Sequence, residues 1–190
     1  MYSLLIDTHD TKVSFVVFKD YKVLDVIDIE SNMRHSEIAM PNLVHILDKN
    51  DIDISDIDEY YVVTGPGSFT GVRIGVVIAK TLAYLQNKPI RPINSLDLVA
   101  FSTEKIIPGC YLVPEKNGFF VGDYDENGLI DSSLKYISRK EYEDTRSDTK
   151  YIDRNIVNYS NVIVHACKLK PVNPHLVNPL YVKQIEAMKW

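Results

Sequence analysis

The residues of this chain best suited to chemistry cluster in VVTGPGSFTGVRIG, residues 62–75, which holds four of the eight glycines together with Ser68, two threonines and Arg73. A glycine-rich turn between a strand and a helix often cradles phosphate, and each version of that chemistry has a spacing that can be counted. A P-loop needs Lys and then Ser or Thr after its last glycine, to reach phosphate and hold magnesium; Gly71 is followed by Val72 and Arg73. The dinucleotide fingerprint needs G-x-G-x-x-G, whereas Gly65, Gly67 and Gly71 run one residue too long. A nucleophile elbow needs glycine two residues either side of its serine, and Ser68 has Pro66 and Thr70 there. What the turn can do is geometric. Gly65 and Gly67 permit positive φ around Pro66, and Gly71 and Gly75 leave one side of the following helix bare, so that another backbone can come close. The helix start also offers free N–H groups to an anion.

No second constellation supplies an enzyme. His9, His35, His45, His165 and His175 form no pair at metal-ligand spacing, and Cys110 and Cys167 stand far apart. The 21 Lys and Arg against 26 Asp and Glu, a net charge of −5, argue against a surface that grips nucleic acid by itself. The start MYSLLIDTHD has no basic leader, and no apolar run approaches the roughly 20 residues of a membrane span. A soluble cytoplasmic protein without membrane contact is expected.

The elements that must position the turn follow from periodicity. Residues 2–8, 12–18 and 22–29 read as three strands of an antiparallel meander. A helix over 36–49 is expected, with Ser36 as its cap and Pro41 as a kink or true start. The acidic stretch 50–59 reads as a loop anchored by Ile52, Ile54 and Ile57, and 60–64 as a buried strand entering the glycine turn. A helix over 69–87, a strand within 88–94 and a helix over 95–105 capped by Ser95 complete a first lobe, residues 1–105. Strand signals at 109–113, 118–124 and 161–166, a turn at Asn127-Gly128 and a polar helix around 138–146 make a smaller second lobe, 106–190. This order is α/β, with the layout of ribonuclease-H-like and actin-like half-folds and not that of a doubly wound sheet.

On the helix after the turn, 100° steps collect Arg73, Lys80, Tyr84 and Asn87 in one polar sector, while apolar residues cover nearly all the rest. An apolar stripe of about 100° is enough to seat a helix on one sheet. The surplus leaves two readings: a helix sandwiched inside its own domain, or a flank of Val72, Val76, Ala79 and Ala83 that meets a partner protein. In the second, Ser36, Met40, Leu43 and Leu47 of the preceding helix share the interface.

The string GPGSFTGVRIG closely resembles the signature of the TsaB (YeaZ) family, G-P-G-S-[FY]-T-G-[LV]-R-I-G. The likeness extends to LLIDT, RHSE, the stretch AKTLAYLQNKPIRPINSLDLVA and NPLYVK, where Lys183 replaces the usual Arg. The second lobe has VPEKNGFFVG in place of the family's D-A-R-x-G-E-V-Y. The resemblance implies an actin-like ATPase-domain (ASKHA, ribonuclease-H-like) fold of two lobes, each a mixed sheet flanked by helices, the second reduced. It implies a non-catalytic scaffold for a TsaD-like enzyme that makes threonylcarbamoyladenosine in tRNA. A TsaE-like ATPase would join the assembly, tRNA would be met only through the complex, and a homodimer would form in the partner's absence. The catalytic relative's H-x-x-x-H metal pair aligns with Ser95 and Val99, and valine donates nothing to a metal. Actin-like kinases carry D-x-G-x-T at the first strand's end; here Asp7-Thr8-His9-Asp10-Thr11 lacks the glycine. Asp7 and Asp10 are then nucleotide-proximal carboxylates that repel phosphate unless a cation intervenes. No cofactor of the chain's own is expected, with ATP or ADP and magnesium confined to the assembled complex. The alternative is an actin-like ATPase, phosphotransferase or peptidase acting alone.

Overall fold

The computed structural model describes residues 1–147, 151–152 and 157–182. Strands β1 (Tyr2–Asp7), β2 (Lys12–Lys19) and β3 (Lys22–Glu30) form the meander. After helix α1 (His35–Lys49), strand β4 (Ile57–Val63) leads through the glycine turn into helix α2 (Phe69–Leu85). Strand β5 (Ile90–Ile93) and the short helix α3 (Ser95–Ala100) follow. The sheet order is β3-β2-β1-β4-β5, with β4 and β5 parallel to β1 and the meander antiparallel. That is the ribonuclease-H-like arrangement.

A second sheet contains β6 (Gly109–Glu115), β7 (Gly118–Asp125), β8 (Gly128–Leu129), β9 (Lys135–Ser138) and β10 (Tyr151–Ile152). It is mixed: β10 runs parallel to β6, and β7 pairs antiparallel with β6, β8 and β9. Helix α4 (Arg139–Thr145) packs on β7 and β9, and helix α5 (Tyr159–Ala166) packs against β3. The first sheet thus comprises residues 2–93 and the second 109–152, while α5 and the segment after it return to the first.

The first sheet is covered on both faces. On one, Leu4, Ile6, Phe15 and Val62 bury against Ala39, Leu43 and Ile46 of α1 and against Val72, Val76, Ala79 and Ala83 of α2. On the other, Leu5, Val16, Phe18, Tyr61 and Val63 meet α3, α5 and Tyr111, Val113 and Tyr124 of the second sheet. This second face also holds a buried ion pair. Arg91 bonds Glu59, which accepts from Ser3 Oγ and, at 2.6 Å, from the Tyr61 hydroxyl, while Arg91 Nε donates to the Leu169 carbonyl at 2.8 Å. The network fastens the chain beyond α5 to the sheet. From there a strap of residues 172–181 runs along β5 and α2: Val172 bridges Ile90, Lys80 Nζ donates to the Val177 carbonyl, and the Leu180 N–H donates to the Thr64 carbonyl.

Several local expectations are corrected. Arg34, with no side-chain cap, precedes α1, and Ser36 lies exposed in its first turn. Asn94, not Ser95, caps α3, because only Asn94 can exchange bonds with Asp97 in a capping box. Residues 161–166 are helical and not a strand: Asn158 accepts from the N–H groups of Ser160 and Asn161, and that cap overrides the β propensity of Val162, Ile163 and Val164. Gly65 has φ +96, but Gly67 is glycine for want of space, since a Cβ there would overlap the His9 carbonyl.

Gly71 and Gly75 open α2 to the chain's own first strand. Thr8 Oγ1 donates to the Gly71 carbonyl at 2.7 Å and accepts from the Gly75 N–H at 3.0 Å; a Cβ at Gly71 would overlap the Thr8 carbonyl oxygen. A glycine to alanine change inside a helix ordinarily gains up to about 1 kcal/mol. Here the sign should reverse: Gly71→Ala is expected to cost roughly 1–3 kcal/mol, because backbone has to move to admit the methyl group. Urea denaturation of the two proteins measures the difference.

The two sheets are joined at Asp97, which accepts from the Tyr124 hydroxyl at 2.7 Å and from the Asn94 N–H at 3.0 Å. Burial pushes its carboxyl up to about 6, against the pull of those two hydrogen bonds. A folded value above the ordinary 3.8 means that Asp97 adds stability below that pH and loses it as pH rises through about 6. Denaturation midpoints taken across this interval should show Asp97→Asn lacking that decline, whatever its fixed cost in hydrogen bonding.

Candidate functional site

Two regions compete for a functional role: the cleft between the sheets, where a catalytic site would lie, and the outer surface of α1 and α2. The cleft, of about 480 Å³, is lined by the turn after β1, by Ser14 and Asp28 of the meander, by α3, and by Val113, Pro114 and Phe119 of the second sheet.

Polar groups in the cleft are largely committed to one another. His9 stands where D-x-G-x-T has glycine, and its ring is buried with Nδ1 2.7 Å from Asp7 Oδ1. The same carboxylate oxygen accepts the His9 N–H at 3.0 Å, Asp10 accepts the Lys12 N–H at 2.7 Å, and the His9 carbonyl accepts the Ser68 N–H. These amides would have to face a phosphate chain, and they already have acceptors. Lys12 pairs with Asp28 at 2.9 Å, and Asp28 accepts from Ser14 Oγ. The residues present therefore do not fit a triphosphate: Asp7 and Asp10 both line the cleft, but His9 bonds the Asp7 carboxylate.

Ser95 and Val99, at the places of a catalytic relative's histidines, are both buried; Ser95 Oγ donates to the Pro66 carbonyl at 2.6 Å. Ser68, the one candidate nucleophile of the turn, caps α2 by accepting the Gly71 N–H. His35 bonds the Asp10 carbonyl at 2.8 Å through Nε2, and His165 the Thr103 carbonyl, so both act as struts. Among the described residues no group of three or more His, Cys, Asp or Glu side chains is placed to hold a metal ion.

The surface of α1 and α2 corrects the expected interface. Ser36 and Met40 are exposed, but Leu43, Leu47, Val72, Val76, Ala79 and Ala83 are buried against the chain's own sheet. The reason is size. Gly71, Gly75, Ala79 and Ala83 form a row at spacing four, and the row with the shortest side chains faces the nearest neighbour, which is the sheet. Outside lies a different set: Val44 is 50% exposed, Val77 59%, Tyr84 57% and Leu85 73%, with Leu176 of the strap at 73%. Phe69, Arg73 and Tyr181 lie together at the N-terminal end of α2. Residues 178–182 of the NPLYVK stretch belong to the strap that reaches this surface, and Lys183 lies outside the described residues. Sequence reasoning missed Val44, Val77 and Leu85, although the row of small residues pointed the opposite face outward.

Known proteins resemble this chain in sequence and in fold. The family model for tRNA N6-adenosine threonylcarbamoyltransferase, TsaD, matches residues 27–113. The chain is 36% identical over 100 residues to the tRNA threonylcarbamoyladenosine biosynthesis protein TsaB of Bacillus subtilis, covering 53% of this chain and 44% of that protein. It is 34% identical over 85 residues to the tRNA N6-adenosine threonylcarbamoyltransferase of Thermomicrobium roseum, covering 45% of this chain and 23% of the enzyme. The chain thus spans about half the length, or less, of the curated relatives it matches. In structure it is similar to YeaZ from Pseudomonas aeruginosa, with a TM-score of 0.71 at 15% identity over 95% of this chain and 100% of the other, which establishes a shared fold.

The Asp7–His9 pair gives a direct readout of the cleft's chemistry. Burial lowers the His9 pKa, but the charge and hydrogen bond of Asp7, with Asp10 adding, outweigh it and hold the value above 6.5. The pair therefore stabilises the fold below the ordinary histidine range and less as pH rises through the raised value. In Asp7→Asn the His9 imidazole should titrate below 6.5, which NMR of its ring signals detects.

Proposed function

We propose that this chain, a member of the TsaB (YeaZ) family, is the non-catalytic mate of a TsaD-like transferase in forming threonylcarbamoyladenosine in tRNA. The observation that carries this reading is the combination found within residues 27–113. The stretch matches the transferase's family model and keeps the glycine turn with its two helices, yet it has Ser95 and Val99 where the resemblance implies the metal-binding histidines of the catalytic relative. Just upstream, His9 bonds the Asp7 carboxylate at the nucleotide turn. Retained architecture with altered chemistry describes a subunit that supports an enzyme of its own fold.

Docking uses the outer face of α1 and α2, centred on Met40, Val44, Val77 and Leu85, in place of the small-residue row, which the sheet already covers. A stable interface buries about 800 Å² on each partner, within the reach of two helices of 15 and 17 residues. A second copy of the chain uses the same face when the transferase is absent. The TsaE-like ATPase, the tRNA and any ATP or ADP engage the assembled pair.

Reconstituting the tRNA modification with this protein omitted and then restored tests the function: product should form only in its presence. Val77→Arg places a charge on an exposed residue, so the fold should survive while complex formation is lost, as gel filtration with light scattering reads. Full modification without the protein would refute the reading.

A further inference from the structure

At the start of α2 a cation is held in place by rings and not by a carboxylate. Arg73 lies with its guanidinium carbon 3.6 Å from the centroid of Phe69, one turn earlier, and 5.6 Å from that of Tyr181. Its Nε donates to the Tyr181 hydroxyl at 2.6 Å, and the two rings lie tilted by 33° with centroids 5.2 Å apart. Tyr181 is held there by the strap, through the bond of the Leu180 N–H to the Thr64 carbonyl at 2.7 Å. Arg34, Lys12, Lys49, Lys88 and Arg91 all have carboxylate partners; among the described residues Arg73 has none.

We propose that Arg73, stacked on Phe69 and hydrogen-bonded to Tyr181, receives a carboxylate from the transferase-like partner and is the specificity-determining contact of the interface. The inference rests on the docking reading above. A guanidinium is weakly hydrated and stacks on aromatic rings, and its fork matches a carboxylate in two parallel hydrogen bonds. The stacking removes side-chain freedom before the partner arrives, so little ordering entropy remains to be lost on binding. The surroundings select a protein over RNA. On the exposed row of α2 the neighbours of Arg73 are Thr70, Val77 and Thr81, and a phosphate backbone demands several cations together. The other cation of this sector, Lys80, is tied to the Val177 carbonyl two turns away, so Arg73 is the oriented cation beside the apolar strip and suits one acidic side chain on an apolar helix.

The test measures partner affinity by titration calorimetry for the full chain and for Arg73→Ala, Arg73→Lys, Tyr181→Phe and Val77→Arg, each checked for an unchanged melting curve. Arg73→Ala should weaken binding about tenfold or more, as arginine anchors at protein interfaces do. Arg73→Lys should restore little of that, because an ammonium lacks the fork and does not stack in the same way. Tyr181→Phe should show a smaller loss. Arg73→Ala binding within twofold of the unaltered chain, while Val77→Arg abolishes binding, would overturn the role of Arg73 and leave the docking face standing. Unchanged affinity for Val77→Arg would overturn the docking reading, and the role of Arg73 with it. A loss confined to tRNA binding, or to the homodimer, would assign Arg73 to a different occupant and refute the proposal.

Discussion

The close approach of α2 to the end of β1 is the constraint from which the rest of the structure follows. Thr8 sits within hydrogen-bonding distance of helix backbone at Gly71 and Gly75, which only a helix bare along that row allows. With α2 pressed there, the glycine turn has to fold over the strand end. The His9 carbonyl takes the Ser68 N–H, Gly67 has no room for a side chain, and α3 is pinned to the turn through Ser95. Glycines that first suggest phosphate chemistry are thereby absorbed in packing.

The same constraint settles which chemistry the two sides of the sheet can perform. Toward the second sheet, the amides and carboxylates around Asp7 and Asp10 satisfy one another, and a histidine ring stands at the glycine position. On the far side, α2 turns its small residues inward and leaves Val77, Tyr84 and Leu85 in water. An exposed apolar strip has free energy to gain from a neighbour. The molecule's unmet interactions lie on its outside.

Much of this was legible in the residues. The β-branched runs and short polar links of residues 2–30 specify a meander, and the order of elements that follows admits the ribonuclease-H-like arrangement of the first sheet. The glycine turn excluded three chemistries by counting alone. Three things were not legible, each for a physical reason. The outward direction of α2 depends on side-chain size and not on hydrophobicity, so a wheel of apolar residues points either way. Val162, Ile163 and Val164 favour a strand in isolation, and a single Asn158 cap decides otherwise. The meeting of Arg73 with Tyr181, 108 positions apart, has no local signal at all.

The return of the chain beyond α5 bears on how this molecule is made. Ser3 shares one buried network with the Leu169 carbonyl, and the Thr64 carbonyl at the end of β4 accepts the Leu180 N–H. A ribosome releases residues one after another, so the opening meander emerges long before the groups that seal it. The part of the cover over Leu5, Tyr61 and Phe18 that α5 supplies is therefore added only after α3 and the strands of the second sheet have emerged. Such distant closures are slow to form.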